Sequence, residues 1–207
     1  MNQPIRWPSV KRPLVAILRG VQPAEVVAIG EAVVEAGIRI VEVPLNSPDP
    51  LNSIETLARQ LGDAALVGAG TVLDPADVAR VKDAGGRIIV SPNTNIEVVA
   101  AAAAAGLVSC PGYFTPSEAF AALRAGAHGL KLFPAEGATP SVLKAQKAVL
   151  PKSVPVMVVG GIKPDNMQPW LEAGAAGFGL GSGLYKAGQA AADTADKARA
   201  YVAGLKG

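Results

Sequence analysis

EAGIRIVEVP, residues 35–44, closes a helix on Ala-Gly and then runs an apolar strand toward a turn. The same unit returns as DAGGRIIVSP (83–92), RAGAHGLKLFP (124–134) and EAGAAGFGLGS (172–182), with a looser copy in AAGLVSCPG. Strand side chains alternate with period two, so equal offsets from the glycine mean equal height and the same facing. Glu42 stands five residues after Gly37, and Lys131 five residues after Gly126. Otherwise apolar strands would therefore aim an acid and an amine at one centre. Such groups are costly to bury unless they are used.

Outward from these units, strand-like segments recur along the whole chain. They are LVAILR (14–19), IRIVEVPL (38–45), ALVGAG (65–70), RIIVSP (87–92), LVSCPG (107–112), HGLKLFP (128–134), PVMVVGG (155–161) and AGFGLGS (176–182). Helical patterns separate them, many opening on Pro, Asp, Ser or Thr and closing on Gly. The strands read as near-continuous apolar runs, the pattern of parallel strands covered by helices. Alternation of strand and helix means α/β. Periodicity alone leaves a doubly wound open sheet in play, but eight units in this length favour a (β/α)8 TIM barrel. The second and sixth strands of a barrel supply side chains to one interior layer, and these carry Glu42 and Lys131. The expected organisation is a single barrel domain over 1–207, with 1–13 an N-terminal extension.

Composition narrows the function. Of 207 residues, half are apolar and 17% charged, and the net charge is +2. No basic stripe or aromatic groove points to nucleic acid. The apolar runs are strand-length and broken by Gly or Pro, too short to span a membrane. The N-terminal MNQPIRWPSVKRP lacks the apolar core of a secretory signal. A single cysteine, Cys110, rules out an internal disulfide and fits a reducing compartment. The expectation is a cytoplasmic protein.

Lys131 stands among Leu130, Leu132 and Phe133. Desolvation there favours a neutral amine able to attack a carbonyl and form a Schiff base, an electron sink for breaking a carbon–carbon bond. Glu42 is the carboxylate available to move the protons. The plainer alternative is a structural ion pair inside the barrel. Gly160-Gly161 and Gly179-Leu180-Gly181-Ser182-Gly183 follow the last two strands, where barrels often bind phosphate on backbone N–H groups. Glycine also serves tight turns. Arg19 ends the first strand and Thr71 follows the third, a guanidinium and a hydroxyl suited to an anionic substrate head or a carboxylate. Their alternatives are a rim salt bridge and a helix N-cap. His128 is the only histidine, which speaks for packing rather than metal ligation, and Cys110 reads as a small core residue. No metal or cofactor is expected, and no nucleotide-binding loop appears.

The motifs AILRG (16–20), EVPLNSP (42–48), GAGTVL (68–73), SPN (91–93), CPG (110–112), LKLFPAE (130–136), VGGI (159–162) and GLGSGLY (179–185) together resemble the bacterial 2-keto-3-deoxy-6-phosphogluconate/phosphogalactonate aldolases. These are class I lyases with a (β/α)8 fold. The resemblance implies Lys131 as Schiff-base lysine and Glu42 as proton shuttle. It puts Thr71 on the pyruvate part, Pro92 in the pocket wall, and Gly160, Gly161, Gly181 and Ser182 at the phosphate. Asn46 and Val159 stand where the phosphogluconate enzymes carry arginine and threonine, and the arginine appears instead as Arg19. That pattern resembles the phosphogalactonate branch, although LKLFPAE looks closer to the other. Val159 thereby becomes a substrate-binding position able to alter stereochemical choice at C4.

The implied reaction splits 2-dehydro-3-deoxy-6-phosphogalactonate into pyruvate and glyceraldehyde 3-phosphate. The alternatives are the phosphogluconate epimer, or both sugars, then an isomerase or epimerase, then a non-catalytic phosphosugar-binding barrel. The resemblance also suggests a homotrimer.

Overall fold

The structure, a computed structural model, describes residues 11–205. Of the expected N-terminal extension, residues 1–10 therefore lie outside the described residues. Among the described residues nine strands run in the order β1 (Leu14–Ile17), β2 (Ile40–Pro44), β3 (Leu66–Gly70), β4 (Ile88–Val90), β5 (Val108–Cys110), β6 (Gly112–Tyr113), β7 (Leu130–Leu132), β8 (Val156–Val159) and β9 (Gly177–Leu180). All pair in parallel, and the sheet order is β5-β4-β3-β2-β1-β9-β8-β7-β6.

The two ends of that order, β5 and β6, are one strand interrupted at Pro111. Proline has no N–H to donate, so the ladder breaks there while the chain runs on. The sequence pattern predicts LVSCPG as one unbroken strand; the structure divides it for this reason. Closure is completed when the Ser109 carbonyl accepts from His128 and Gly129, and the Pro111 carbonyl from Lys131. The result is the (β/α)8 barrel.

Among the described residues eight α-helices wrap it: α1 (Val26–Glu35), α2 (Pro50–Leu61), α3 (Pro75–Asp83), α4 (Ile96–Ala104), α5 (Pro116–Arg124), α6 (Pro140–Val149), α7 (Met167–Glu172) and α8 (Ala191–Gly204). Their starts follow local chemistry. Thr115 and Glu118 form a reciprocal capping box on α5, and Asn95 and Asp74 cap α4 and α3. Outward strand residues such as Val41, Val67 and Phe178 join the helices in one apolar shell. Inward residues such as Val15, Ile40, Ile88, Cys110 and Met157 fill the barrel, leaving a gap of only about 10 Å³ beneath Glu42 and Lys131. The interior is thus a packed floor, and the space for chemistry lies above it.

Candidate active site

Above that floor, at the C-terminal ends of the strands, opens a cleft of about 350 Å³. Glu42 enters it from β2 and Lys131 from β7, and they are only 2% and 7% exposed. One carboxyl oxygen, Glu42 Oε2, is buried with no hydrogen-bond partner among the described residues. Burial pushes this carboxyl up to about 7, although the nearby Lys131 and Arg19 charges pull it back. Burial likewise holds the Lys131 amine below its usual range, and Glu42 only partly offsets that. The ion pairs among the described residues are Arg80–Asp77, Arg87–Asp63 and Arg199–Asp196. The two buried groups feel each other without contact, so the reading as a direct structural ion pair is set aside. Burial thus works on both groups in the same sense, toward the uncharged form.

Lys131 Nζ lies 4.7 Å from the centroid of the Phe133 ring, which covers it. Gly70, on β3, abuts the Glu42 carboxyl. A Cβ built there would stand 1.8 Å from Glu42 Oε2, so the carboxyl fills the place a side chain would take.

On the rim, Arg19 donates from Nη1 to Asn46 Oδ1 and from Nη2 to Thr71 Oγ1, the latter at 3.3 Å. Neither expected alternative holds. Arg19 has no carboxylate partner among the described residues, and α3 is capped by Asp74, three residues beyond Thr71. Thr71 has φ of 56°. For a β-branched residue this is a strained conformation, of the kind that persists at sites where its surroundings hold it.

The glycine clusters form the far side. Among the described residues, the backbone N–H groups of Gly161, Ile162, Ser182 and Gly183 donate to no protein acceptor. All four residues line the cleft. Unpaired N–H groups gathered on two adjacent loops are what an anion needs.

Comparison with known proteins fits this geometry. A family model described as KDPG and KHG aldolase matches residues 9–200. The chain belongs to that aldolase family. It is 48% identical over 198 residues to the 2-dehydro-3-deoxy-6-phosphogalactonate aldolase of Escherichia coli (strain K12), covering 96% of each chain. A solved structure described as native KDPGal superposes with a TM-score of 0.94 at 47% identity, covering 98% of both chains. A KDPG aldolase from Legionella pneumophila, solved with pyruvate captured as a covalent carbinolamine, gives a TM-score of 0.81 at 28% identity over 93% of this chain and 94% of that one.

In this aldolase the cleft gathers all the residues singled out from sequence: Lys131, Glu42, Arg19, Thr71, Pro92, Val159, Gly160, Gly161, Gly181 and Ser182. Val159 packs against Gly179, whose added Cβ would meet it at 2.6 Å, and both line the cleft. Glu136 and Lys163 reach the same cleft and were not picked out, because nothing in the repeat spacing marks loop residues. Gly70 was also passed over, although GAG between two strands is a readable sign of close approach.

Cys110 lies under Lys131 in the packed interior, where burial pushes its thiol up to about 12. It is a core residue. The ring of His128 accepts the Ser109 N–H on Nδ1 at 3.2 Å, a packing role that also occupies one possible ligand atom. No three or more His, Cys, Asp or Glu side chains group as a metal site among the described residues. No helix among them is long and apolar enough to cross a membrane.

Proposed function

We propose that this enzyme cleaves 2-dehydro-3-deoxy-6-phosphogalactonate to pyruvate and glyceraldehyde 3-phosphate through an imine on Lys131. The observation that carries the reading is the buried amine beside a buried carboxyl in one cleft, each shifted toward neutrality by burial.

The neutral Lys131 amine attacks the C2 carbonyl carbon, and the carbinolamine loses water to give the protonated imine. Glu42 takes the proton of the C4 hydroxyl. The C3–C4 bond then breaks, its electron pair moving into the imine as an enamine while C4 leaves as the aldehyde. Glu42 returns the proton to C3, and water releases pyruvate and the free amine. A carboxyl near 7 can both accept and return that proton at working pH. Arg19 and Thr71 would hold the substrate carboxylate, Pro92 and Val159 its flanks, and the N–H groups around Gly160, Gly161, Gly181 and Ser182 its phosphate. Binding energy at the phosphate then orients the bond to be broken.

Borohydride reduction in the presence of pyruvate tests the reading. Wild-type enzyme should gain a stable adduct on one lysine, and Lys131→Met should gain none while keeping its fold. An adduct on the variant would place the nucleophile elsewhere. Rates on both C4 epimers separate the phosphogalactonate reading from the phosphogluconate one.

The reading extends to a single barrel domain with an extension to residue 13, and to a homotrimer. In support of assembly, the exposed apolar residues Leu73, Ile96, Phe114 and Val142 stand at the starts of four successive helices, α3 to α6.

A further inference from the structure

The two glycine loops meet at one buried hydroxyl. Tyr201, on α8, is 2% exposed, and its Oη donates to the Ile162 carbonyl at 2.8 Å. A Cβ built on Gly183 would stand 2.3 Å from that same Oη and 3.5 Å from the Ile162 oxygen. Tyr201 therefore touches the loop after β8 and the loop after β9 at once. The first loop is held a second time, by Asn166. Its Nδ2 donates to the Gly161 carbonyl at 2.9 Å, and its Oδ1 accepts the Lys163 N–H at 2.9 Å.

These bonds decide where the remaining N–H groups point. In a trans peptide the carbonyl and the N–H face opposite ways. With the Gly161 carbonyl fixed on Asn166, the Ile162 N–H is turned to the other side of its peptide, and Ile162 lines the cleft. Gly160 and Gly161 have φ of 115° and 63°, and glycine backbones left alone would wander among many such states. A loop that wandered would have to be ordered each time an anion bound, at the expense of affinity.

We propose that Tyr201 and Asn166 are positioning residues that hold the two loops together as a preorganised phosphate cradle. The last helix thereby sets affinity for the phosphorylated substrate without touching it. The inference rests on the reading of these loops as the phosphate site. Neither residue is placed to reach the amine or the carboxyl of the reacting centre, since neither lines the cleft.

Tyr201→Phe removes only the hydroxyl and keeps the ring. Three quantities test it: KM and kcat on the phosphorylated substrate, competitive inhibition by inorganic phosphate, and borohydride trapping with pyruvate, which carries no phosphate. The inhibition constant and KM should rise together by about three- to tenfold, the worth of one ordinary hydrogen bond, with kcat and trapping unchanged. Asn166→Ala should shift the same two quantities in the same direction, and it decides the matter if the tyrosine variant does not fold. An unchanged phosphate constant in a folded variant would overturn the inference, as would a loss of trapping in step with the rise in KM. If inorganic phosphate does not compete with substrate in the wild-type enzyme, the phosphate reading itself fails and takes the inference with it.

Discussion

Glu42 is the residue at which burial and chemistry pull in opposite directions. A carboxyl whose folded-state value is raised from 4.5 to about 7 favours its protonated form in the folded protein. The stability it allows is fully present below about 4.5, falls as pH rises toward 7, and stays low above that. In the proposed mechanism Glu42 is the base, and its ionised form exists only on the high side of the same window. On that proposal, the enzyme holds its base where the fold tolerates it least. Glu42→Gln should therefore be more stable than wild type at pH 8.5, by roughly 3 kcal/mol, and no more stable near pH 4. Its turnover should fall by about 10² to 10⁴-fold, the usual worth of general acid–base catalysis. Denaturant titrations at the two pH values and steady-state rates measure both. A stability difference that does not change with pH would show that Glu42 is not the group that titrates. The residue itself was legible because the repeat gives it the same offset as Lys131. Its isolation from a direct ion pair was not, since offset fixes height along the strand and leaves the distance across the barrel open.

At the scale of elements, the repeats gave the strand and helix order, and most boundaries followed. The departures have local causes. Pro111 splits one strand because it cannot donate to the ladder, and α3 is capped by Asp74 rather than Thr71, which is turned left-handed with its hydroxyl on Arg19. A sequence shows that a threonine precedes a helix. It does not show which rim partner has claimed its hydroxyl. Strand β3 carries the most consequential detail, its inward residues Gly68 and Gly70. A Cβ on Gly68 would lie 2.0 Å from the Ile88 carbonyl oxygen, and one on Gly70 would lie 1.8 Å from Glu42 Oε2. The first glycine lets two strands approach, and the second leaves room for the carboxyl. Gly70→Ala should thus push Glu42 aside and cost about 1–3 kcal/mol of stability through overpacking. Turnover should drop by at least tenfold, while pyruvate still forms a reducible adduct on Lys131. The ratio of turnover to trapping rate is the readout. Equal losses in both would mean that Gly70 supports the barrel rather than the proton path.

The whole molecule poses a question its closed barrel does not answer. The barrel already buries its apolar interior and the inner faces of its helices, yet Ile96 is 54% exposed, Leu73 51%, Val142 39% and Phe114 38%. Local contacts join them in neighbouring pairs. Asn95, beside Ile96, donates to the Leu73 carbonyl, and Gln146, one turn along α6 from Val142, donates to the Phe114 carbonyl. Single exposed apolar residues are ordinary, but a run of them along one edge is a common mark of an interface. The same edge carries the loops after β3, β4, β6 and β7, so a neighbouring subunit seated there would brace the loops that bear Thr71, Pro92 and Phe133. Wild-type enzyme should sediment at three times the 20.9 kDa of its chain. Phe114→Asp combined with Ile96→Asp should shift it to the mass of one chain at micromolar concentration, because two buried carboxylates would face apolar surface. Activity should fall with dissociation and recover in part when the concentration is raised. A variant that stays trimeric would move the interface off this edge, and one that becomes monomeric with full activity would show that the cleft is complete within a single chain.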